Sequence, residues 1–287
     1  MRLHLVDGTF ELFRAHFAPR PTHLGPDGRD LKATVGVVMS LFSLLRDRQE
    51  RATHLAVAFD NPITSFRNAL FDGYKTEGGM DPVLRGQFDD VERAVAAAGF
   101  TVWSMKDFEA DDALASGAAN FMTQVEQVRI LTPDKDLGQA LVSERVVQVD
   151  RIRRRELTVE TLKAEKGLRP EQVPDFLALV GDTADGIPGL EGWGEKSASA
   201  VLGAYPHLED IPADATTWSV VVRGAAKLSA QLEAHRADAV LYRTLATLRR
   251  DVPLAQTLEQ LEWKGVSAGF PSWCASVGVE PGSLRLP

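Results

Sequence analysis

The strongest constraint on the fold of this chain is a set of short apolar runs that each stop at or just before an aspartate. The segments LHLVDG, LAVAFD and RILTPDKD behave in this way, ending at Asp7, Asp60 and Asp134. Leucine-rich and β-branched runs of this length predict buried strands, and an α/β sheet brings the carboxyl ends of its strands to one edge. With the segments FEADDAL and GDTADGIPG, the chain carries nine such carboxylates: Asp7, Asp60, Glu109, Asp111, Asp112, Asp134, Asp136, Asp182 and Asp185.

Crowded carboxylates of this kind predict a divalent metal centre. They repel one another unless cations lie between them, and hard oxygen ligands favour Mg²⁺ or Mn²⁺ over zinc. A single aspartate, such as Asp7 before Gly8 or Asp182 before Thr183, is more often a turn residue or a helix cap. The ordered set of nine favours a metal site over nine separate caps. Such a site is suited to metal-assisted attack on a phosphodiester.

The composition is typical of a globular chain. Of the 287 residues 44% are hydrophobic, and no apolar run has the length of a membrane span. We therefore expect a cytoplasmic protein with no membrane partner. Cys274 is the only cysteine, which excludes an internal disulfide and a cysteine-based zinc site. The formal net charge is -8, but without the nine carboxylates 31 acidic residues face 32 basic ones, so the acidity is concentrated in the expected site.

The order of periodic segments predicts an α/β core in residues 1–156. Strands are expected at 3–6, 55–59, 101–104, 128–131 and 146–149, and helices at 31–48 and 87–98. The first of these helices should bury one face that consists of Val35, Val38, Met39, Phe42 and Leu45. A glycine-rich segment at about 71–88 predicts a long flexible excursion. Residues 157–250 predict helices broken by Gly and Pro, and 251–287 predict a tail packed on the body.

A glycine-rich turn precedes a helix that begins with basic and hydroxyl residues. In the segment 185–198, DGIPGLEGWGEKSA, glycines allow close approach of the backbone to a phosphate, and N–H groups at the helix start point towards it. An isolated glycine turn between helices is the simpler interpretation of such a segment. Its position directly after an acidic pair favours a clamp for DNA phosphates without sequence readout. The expected contacts are Gly189, Gly192, Gly194, Lys196 and Ser197.

The chain resembles the 5′ nuclease family, which includes the 5′→3′ exonuclease domain of bacterial DNA polymerase I, phage 5′ exonucleases and flap endonucleases. Five ordered segments between Leu5 and about Arg250 carry the resemblance: LVDGTFELFRAHFA, FDNPITSFRNALFDGYK, FEADDALAS, ILTPDKDLGQAL and LVGDTADGIPGLEGWGEKSA. It implies a PIN-like mixed α/β sheet with flanking helices, a helical arch, and a C-terminal helical region. In that region a helix-three-turn-helix motif would grip duplex DNA, often with a bound K⁺.

The resemblance also implies roles for single residues. By position, Asp7, Asp60, Glu109 and Asp111 would hold the first metal ion. Asp134, Asp136 and Asp185 would hold the second, with Asp111 near both and with Asp112 and Asp182 ligating through water. Arg67, Tyr74 and Lys75 match catalytic residues at the base of the arch.

The chain departs from the family pattern at four positions. Gly78 stands where a basic residue is common, and Arg85 is expected to substitute for it in contacting DNA. Gly186 replaces a common asparagine, Trp193 a common isoleucine and Ser197 a common threonine. None of these differences removes a carboxylate.

Together the residues and the resemblance predict a structure-specific 5′ nuclease that hydrolyses phosphodiesters near the 5′ end of flapped, nicked or duplex DNA by a two-metal mechanism. The expected partners are DNA and a DNA polymerase acting in trans, with the nuclease itself a monomer. Two alternatives stay open. A non-catalytic structure-specific DNA-binding protein would not need intact carboxylates, and a PIN-type ribonuclease is typically shorter and lacks the glycine turn. The arginine run at 151–155 is either a solvated face or a phosphate contact.

Overall fold

A computed structural model describes residues 1–287, which divide into two compact units. Unit 1 comprises residues 1–65, 77–132 and 250–287, and unit 2 comprises residues 66–76 and 133–249. These limits differ from the expected boundaries at 156 and 250, because the segment 66–76 packs within unit 2 and the C-terminal residues pack within unit 1.

Unit 1 is built on four parallel strands. They are β1 (Arg2–Asp7), β2 (His54–Asp60), β3 (Thr101–Met105) and β4 (Gln127–Leu131), arranged in the order β3-β2-β1-β4. The interior strands β1 and β2 are buried along almost their whole length, which explains their continuous apolar sequences. All four expected strands of this unit are confirmed to within two residues at each end.

Helices complete unit 1. They are α1 (Gly8–Phe17), α2 (Lys32–Arg46), α3 (Pro82–Arg85), α4 (Phe88–Ala97), α5 (Ala110–Phe121) and, near the C-terminus, α11 (Phe270–Val277). Short 3₁₀ turns lie at Leu258–Leu261 and Pro281–Leu284. In α2 the buried face contains Val35, Val38 and Phe42 as expected, but the expectation for Met39 is wrong, since 37% of its surface is exposed.

The C-terminal residues of unit 1 contribute to its core. Trp263 stacks on Phe100, with ring centroids 6.1 Å apart, and Phe270 meets Phe42 edge to face at 5.9 Å. The indole nitrogen of Trp263 donates a hydrogen bond to the carbonyl of Ala98. The segment 251–287 therefore packs within unit 1.

Unit 2 is mainly helical. It contains α6 (Val159–Lys166), α7 (Val173–Val180), α8 (Glu195–Ala204), α9 (Ala225–Ala234) and α10 (Arg236–Ala246). Five 3₁₀ turns lie at Phe66–Ala69, Lys135–Ala140, Pro170–Gln172, Leu208–Asp210 and Ala215–Thr217. The central helix α7 is buried on nearly every side and packs against α8 and α10.

Two antiparallel strands, β5 (Val146–Asp150) and β6 (Arg155–Leu157), also belong to unit 2. Strand β5 was expected. Strand β6 was not, because its sequence REL has three residues, two of them charged, and no alternation.

Residues 71–88 contain little regular structure. Gly78 and Gly79 form a turn, and α3 has only four residues. Asp81 caps α3 by accepting a hydrogen bond from the Val83 N–H, and Pro82 occupies the first helical position. The helix expected for an arch is thus limited here to α3. No helix of the chain combines the length and the apolarity needed to cross a membrane.

Candidate active site

Asp7 and Asp60 lie at the carboxyl edge of the parallel strands of unit 1. They end the neighbouring strands β1 and β2, whose register places Asp7 opposite Ala58. Asp7 accepts hydrogen bonds from the Phe10 N–H at 2.8 Å, which caps α1, and from the Thr132 hydroxyl at 2.9 Å. Asp60 accepts one from the Ala110 N–H at 2.8 Å. These bonds orient both carboxylates.

The start of α5 adds three carboxylates to this edge of unit 1. Glu109 is the N-cap of the helix, and its side chain accepts a hydrogen bond from the Ser65 hydroxyl at 2.6 Å. Asp112 is fully buried and accepts one from the Glu109 N–H at 3.0 Å, which closes a capping box. Asp111 is half-buried between them. Because anions are stabilised near the start of a helix, α5 supports this concentration of negative charge.

In unit 2 the segment after β4 presents Asp134 and Asp136. Asp134 caps the 3₁₀ turn 135–140 by accepting a hydrogen bond from the Asp136 N–H at 2.9 Å. Asp136 is 3% exposed, and its Oδ1 atom is buried without a hydrogen-bond partner. Burial, followed by the charges of Asp134, Asp185 and Asp182, raises the pKa of Asp136 well above its usual value. Such a buried acceptor is unstable unless a cation or a proton satisfies it.

A tight loop in unit 2 carries Asp182 and Asp185. The backbone groups of Asp182 and Ile187 pair with each other at 2.7 and 2.8 Å, so the four residues between them form a closed turn. The Lys135 ammonium lies 3.0 Å from Asp182, and the Lys75 ammonium lies 3.1 Å from Asp185. Asp134 is exposed at the surface. Packed protein atoms nevertheless desolvate its carboxylate, and this desolvation, together with the charges of Asp185 and Asp182, raises the pKa of Asp134.

The donor set of each unit fits a hard divalent cation. All nine groups are carboxylates, and in unit 2 the orphaned Asp136 oxygen supplies an acceptor that nothing else in the protein satisfies. As the side chains stand in the structure, no group of three or more acidic, histidine or cysteine residues is spaced to hold a metal ion. Lysines accompany two of the carboxylates instead, and Lys135 was missed in the sequence although it stands inside the segment TPDKD.

Tyr74 and Lys75 lie against the Asp185 loop. The Tyr74 hydroxyl is 3.4 Å from the Asp185 carboxylate, and the Lys75 N–H donates to the Asp185 carbonyl at 3.0 Å. Arg67 is in a different environment. Its guanidinium is fully buried and donates to the carbonyls of Leu245 and Thr247, at the end of α10. These bonds tie Arg67 to the end of α10. The catalytic role that the resemblance implies for Arg67 stays a prediction.

The glycine turn lies between α7 and α8. Gly189 has a φ of +69°, and a Cβ added to it would stand 2.5 Å from the Gly181 nitrogen, so this glycine serves packing within the loop. Gly194 is the N-cap of α8 with open space around it. Ser197 exchanges hydrogen bonds with the backbone of Gly194 at 2.9 and 3.1 Å. Lys196 is exposed and makes no ion pair.

An open cavity of about 790 Å³ lies beside the start of α8. Its lining includes Gly192 and Lys196 and also Arg223, Gly224 and Lys227 from the start of α9. These last three residues were missed in the sequence, although a glycine N-cap followed by a lysine in the first turn, Gly224 and then Lys227, repeats the pattern of Gly194 and Lys196 at α8. Gly224 has a φ of +75°, and Arg223 is exposed. Two helix starts with basic side chains thus line one concave surface.

The other candidate arginines are paired with acidic residues. Arg85 contacts Glu77 at 2.8 Å and lies over the ring of Phe88, 5.1 Å from its centroid. In the run 151–155, Arg153 pairs with Asp150 at 3.0 Å, and Arg155 pairs with Glu165. Both arginines are exposed, and a phosphate contact from the run 151–155 stays a prediction. A DNA contact from Arg85 stays a prediction.

Two family descriptions match consecutive parts of the chain. Residues 2–167 match the N-terminal resolvase-like domain of 5′-3′ exonucleases, and residues 168–268 match their C-terminal SAM fold. The chain belongs to the 5′-3′ exonuclease family. Among its relatives is a protein named 5′-3′ exonuclease from Aquifex aeolicus, 35% identical over 210 residues, which represent 73% of this chain and 71% of the relative.

Other members of the family are much longer. DNA polymerase I of Mycobacterium tuberculosis is 38% identical over 264 residues, which represent 90% of this chain and 28% of the relative. The chain therefore spans little more than a quarter of the polymerase relatives that it matches.

Solved structures share the fold. A flap endonuclease of bacteriophage T5, described as a complex with DNA and metal ions, aligns with a TM-score of 0.63 at 18% identity over 99% of this chain and 96% of its own. The catalytic core of Rad2, in complex with DNA substrate, aligns with a TM-score of 0.60 at 14% identity over 99% of this chain and 90% of its own. The mixed α/β fold with a C-terminal helical region is thereby confirmed.

Proposed function

We propose that this chain is a divalent-metal-dependent, structure-specific 5′ nuclease that acts on flapped, nicked or 5′-ended duplex DNA. The observation that carries the proposal is the buried, unpartnered carboxylate oxygen of Asp136, which lies among Asp134, Asp182 and Asp185 in a member of the 5′-3′ exonuclease family. A buried carboxylate oxygen without a partner costs stability, so a folded protein keeps one where a ligand binds that oxygen during function.

Two groups of carboxylates would hold two ions. Asp7, Asp60, Glu109 and Asp111 are the ligands proposed for one, with Asp112 acting through water. Asp134, Asp136 and Asp185 are proposed for the other, with Asp182 acting through water. When bound, Mg²⁺ or Mn²⁺ supplies an activated water and neutralises the phosphate. Mg²⁺ and Mn²⁺ both suit these all-oxygen sets.

The protein's own residues would bind and orient the DNA. Lys75 carries its positive charge on a partly buried ammonium, 19% exposed, which suits it to stabilise charge on the scissile phosphate. Tyr74 stands beside it. The helix starts at Gly194 and Gly224, with Lys196 and Arg223, would hold duplex phosphates through backbone N–H groups and side-chain charge. A K⁺ ion at this motif, a polymerase partner, a monomeric state and a cytoplasmic location stay predictions.

The test is cleavage of a 5′-labelled flap and a nicked duplex in Mg²⁺, in Mn²⁺ and in EDTA. We expect cleavage near the 5′ end that EDTA abolishes. Asp136→Asn should remove at least 99% of the single-turnover rate, roughly the loss of one essential charge-stabilising group, while the exposed Asp107→Asn stays at wild-type rate. Cleavage that persists in EDTA would refute the proposal. Tight flap binding without any cleavage would favour the non-catalytic DNA-binding alternative.

A further inference from the structure

A cavity of about 170 Å³ lies within unit 2, between the strands β5 and β6 and the helices α6 and α7. The apolar part of its lining consists of buried side chains, namely Leu162, Leu168, Val173, Phe176 and Leu177. Protein interiors are packed at the density of organic crystals, and an unfilled apolar cavity lowers stability. This space, the α6–α7 cavity, is therefore a candidate site for an apolar group from outside the protein.

The rest of the lining carries an excess of positive charge. Four basic side chains lie in it against two acidic ones: Lys135, Arg153, Arg155 and Lys166 against Asp150 and Glu165. Arg155 pairs with Glu165 inside the lining, whereas Lys166 pairs at 2.7 Å with Glu195, which is outside it. Ion pairs between exposed groups are weak, so these cations can turn towards a bound anion at little cost.

Lys166 connects the charged and the apolar parts of the α6–α7 cavity. Its ammonium lies over the ring of Phe176, 5.9 Å from the ring centroid. A ligand ring that packs on Phe176 would therefore bring an attached anionic group close to a positive charge. An apolar cavity of about 150 Å³ has room for one benzene-sized ring. The space in unit 2 thus suits a single ring that carries an anionic substituent.

We infer that the α6–α7 cavity binds a small anion built on one apolar ring, of the aryl phosphate or aryl carboxylate class. The ring would fill the space beside Phe176 and Leu177, and the anionic group would lie between Lys166 and Arg155. A nucleotide is less suitable, because its base would place several polar groups against leucine and valine side chains. The inference goes beyond the proposed function, since no carboxylate assigned to a metal ion lines the cavity.

The test is a titration of the full chain with phenyl phosphate in EDTA, followed through ¹³C-labelled leucine and valine methyl groups. EDTA prevents divalent ions from holding phosphate at the carboxylates. We expect saturable shifts of the Leu162, Val173 and Leu177 signals with a Kd below about 1 mM, as is usual for a ligand of this size. Phenol lacks the anion and inorganic phosphate lacks the ring, so each should bind at least about tenfold more weakly.

A substitution that fills the space tests the position of the ring. Leu157 is half-buried and lines the cavity, so Leu157→Phe should weaken the binding of phenyl phosphate by about tenfold. Leu241→Phe is the matched control, because Leu241 packs on the same apolar cluster and is outside the lining. It should bind phenyl phosphate as wild type does. Circular dichroism checks that both variants are folded.

A substitution that removes a charge tests the position of the anion. Arg155→Gln should weaken the binding of phenyl phosphate by about five- to tenfold and leave the binding of phenol unchanged. The neighbouring Arg154 is exposed and outside the lining, so Arg154→Gln should behave like wild type. Should Leu157→Phe fail to fold, this second pair still decides the question.

Four results would overturn the inference. The first is the absence of saturable shifts up to about 10 mM phenyl phosphate. The second is binding of inorganic phosphate as tight as that of phenyl phosphate, which would show a surface anion site only. The third is unchanged affinity in folded Leu157→Phe or in Arg155→Gln. The fourth is tighter binding of thymidine monophosphate than of phenyl phosphate, which would replace the aryl anion with a nucleotide.

Discussion

At the scale of single residues, two lysines of unit 2 differ in their surroundings. Lys75 is 19% exposed, and its ammonium forms an ion pair with the carboxylate of Asp185. Lys196 is exposed at the start of α8 and makes no ion pair. A charge held in place among carboxylates suits transition-state stabilisation, whereas a free surface charge suits binding of a DNA backbone.

Substitution of each lysine should therefore affect a different quantity. Lys196→Ala should weaken binding to duplex and flapped DNA alike and reduce the slope of log affinity against log salt by about one. Lys75→Ala should lower the single-turnover rate with little change in duplex affinity. Lys264→Ala is the control, since Lys264 is an exposed lysine of unit 1. Exchanged effects of the first two variants would show that the reacting phosphate has been assigned to the wrong group of residues.

At the scale of elements, the turn between α7 and α8 uses its glycines for separate purposes. Gly189 permits close packing against Gly181, whereas Gly194 caps α8 and has open space around it. The same residue type thus serves folding at one position and access to the backbone at the other.

Alanine substitutions should separate these two purposes. Gly189→Ala should destabilise the protein by roughly 2–4 kcal/mol, because it adds left-handed strain to a clash with the backbone. Gly194→Ala should leave the unfolding midpoint within about 2 °C of wild type and weaken duplex binding, since its methyl group stands where a phosphate would approach. Urea unfolding measures the free energy of unfolding, thermal unfolding measures the midpoint temperature, and titration with duplex DNA measures the affinity. Equal loss of stability in the two variants would contradict the assignment.

The elements also show what the sequence could predict. Continuous apolar runs located β1, β2 and β4, because buried parallel strands need such runs and the aspartates mark their ends. Strand β6 was missed because its pairing with β5 is decided by tertiary contacts and not by its own residues. For the same reason the burial of Arg67 and the lysine partners of Asp182 and Asp185 could not be foreseen: they depend on segments that are distant in the sequence.

At the scale of the whole molecule, the stability of the chain depends on a buried polar cluster in unit 1 that is separate from the carboxylate site. His4 is fully buried, and its Nε2 atom is 3.0 Å from Glu50, which also binds Arg129 at 2.7 and 3.1 Å. Burial lowers the pKa of His4, against the opposing effect of Glu50. Burial by itself would raise the pKa of Glu50, but the bonds from His4 and Arg129 lower it from 4.5 to about 2.

Because the pKa values of both His4 and Glu50 are lowered in the folded protein, the folded state loses stability as the pH falls. Unfolded His4 takes up a proton near pH 6.5 that the folded protein resists, so stability falls as the pH drops below that value. The contribution of Glu50 is present above pH 4.5 and is lost as the pH falls towards about 2. Between pH 7.5 and 5, His4→Gln should therefore lose less unfolding free energy than wild type, and the exposed His235→Gln should behave like wild type. Parallel pH profiles for wild type and His4→Gln would contradict this account.

Several candidate metal ligands are also helix caps. Residues with both roles are constrained in evolution by folding as well as by catalysis. Asp7, Glu109 and Asp134 hold the first turns of three helical segments whether or not any DNA is cut. A lineage that abandons nuclease activity would still be selected to retain them for folding. Asp136 caps no helical segment, and its buried Oδ1 finds no partner within the protein. Its loss should be the earliest mark of a descendant that has stopped cutting DNA.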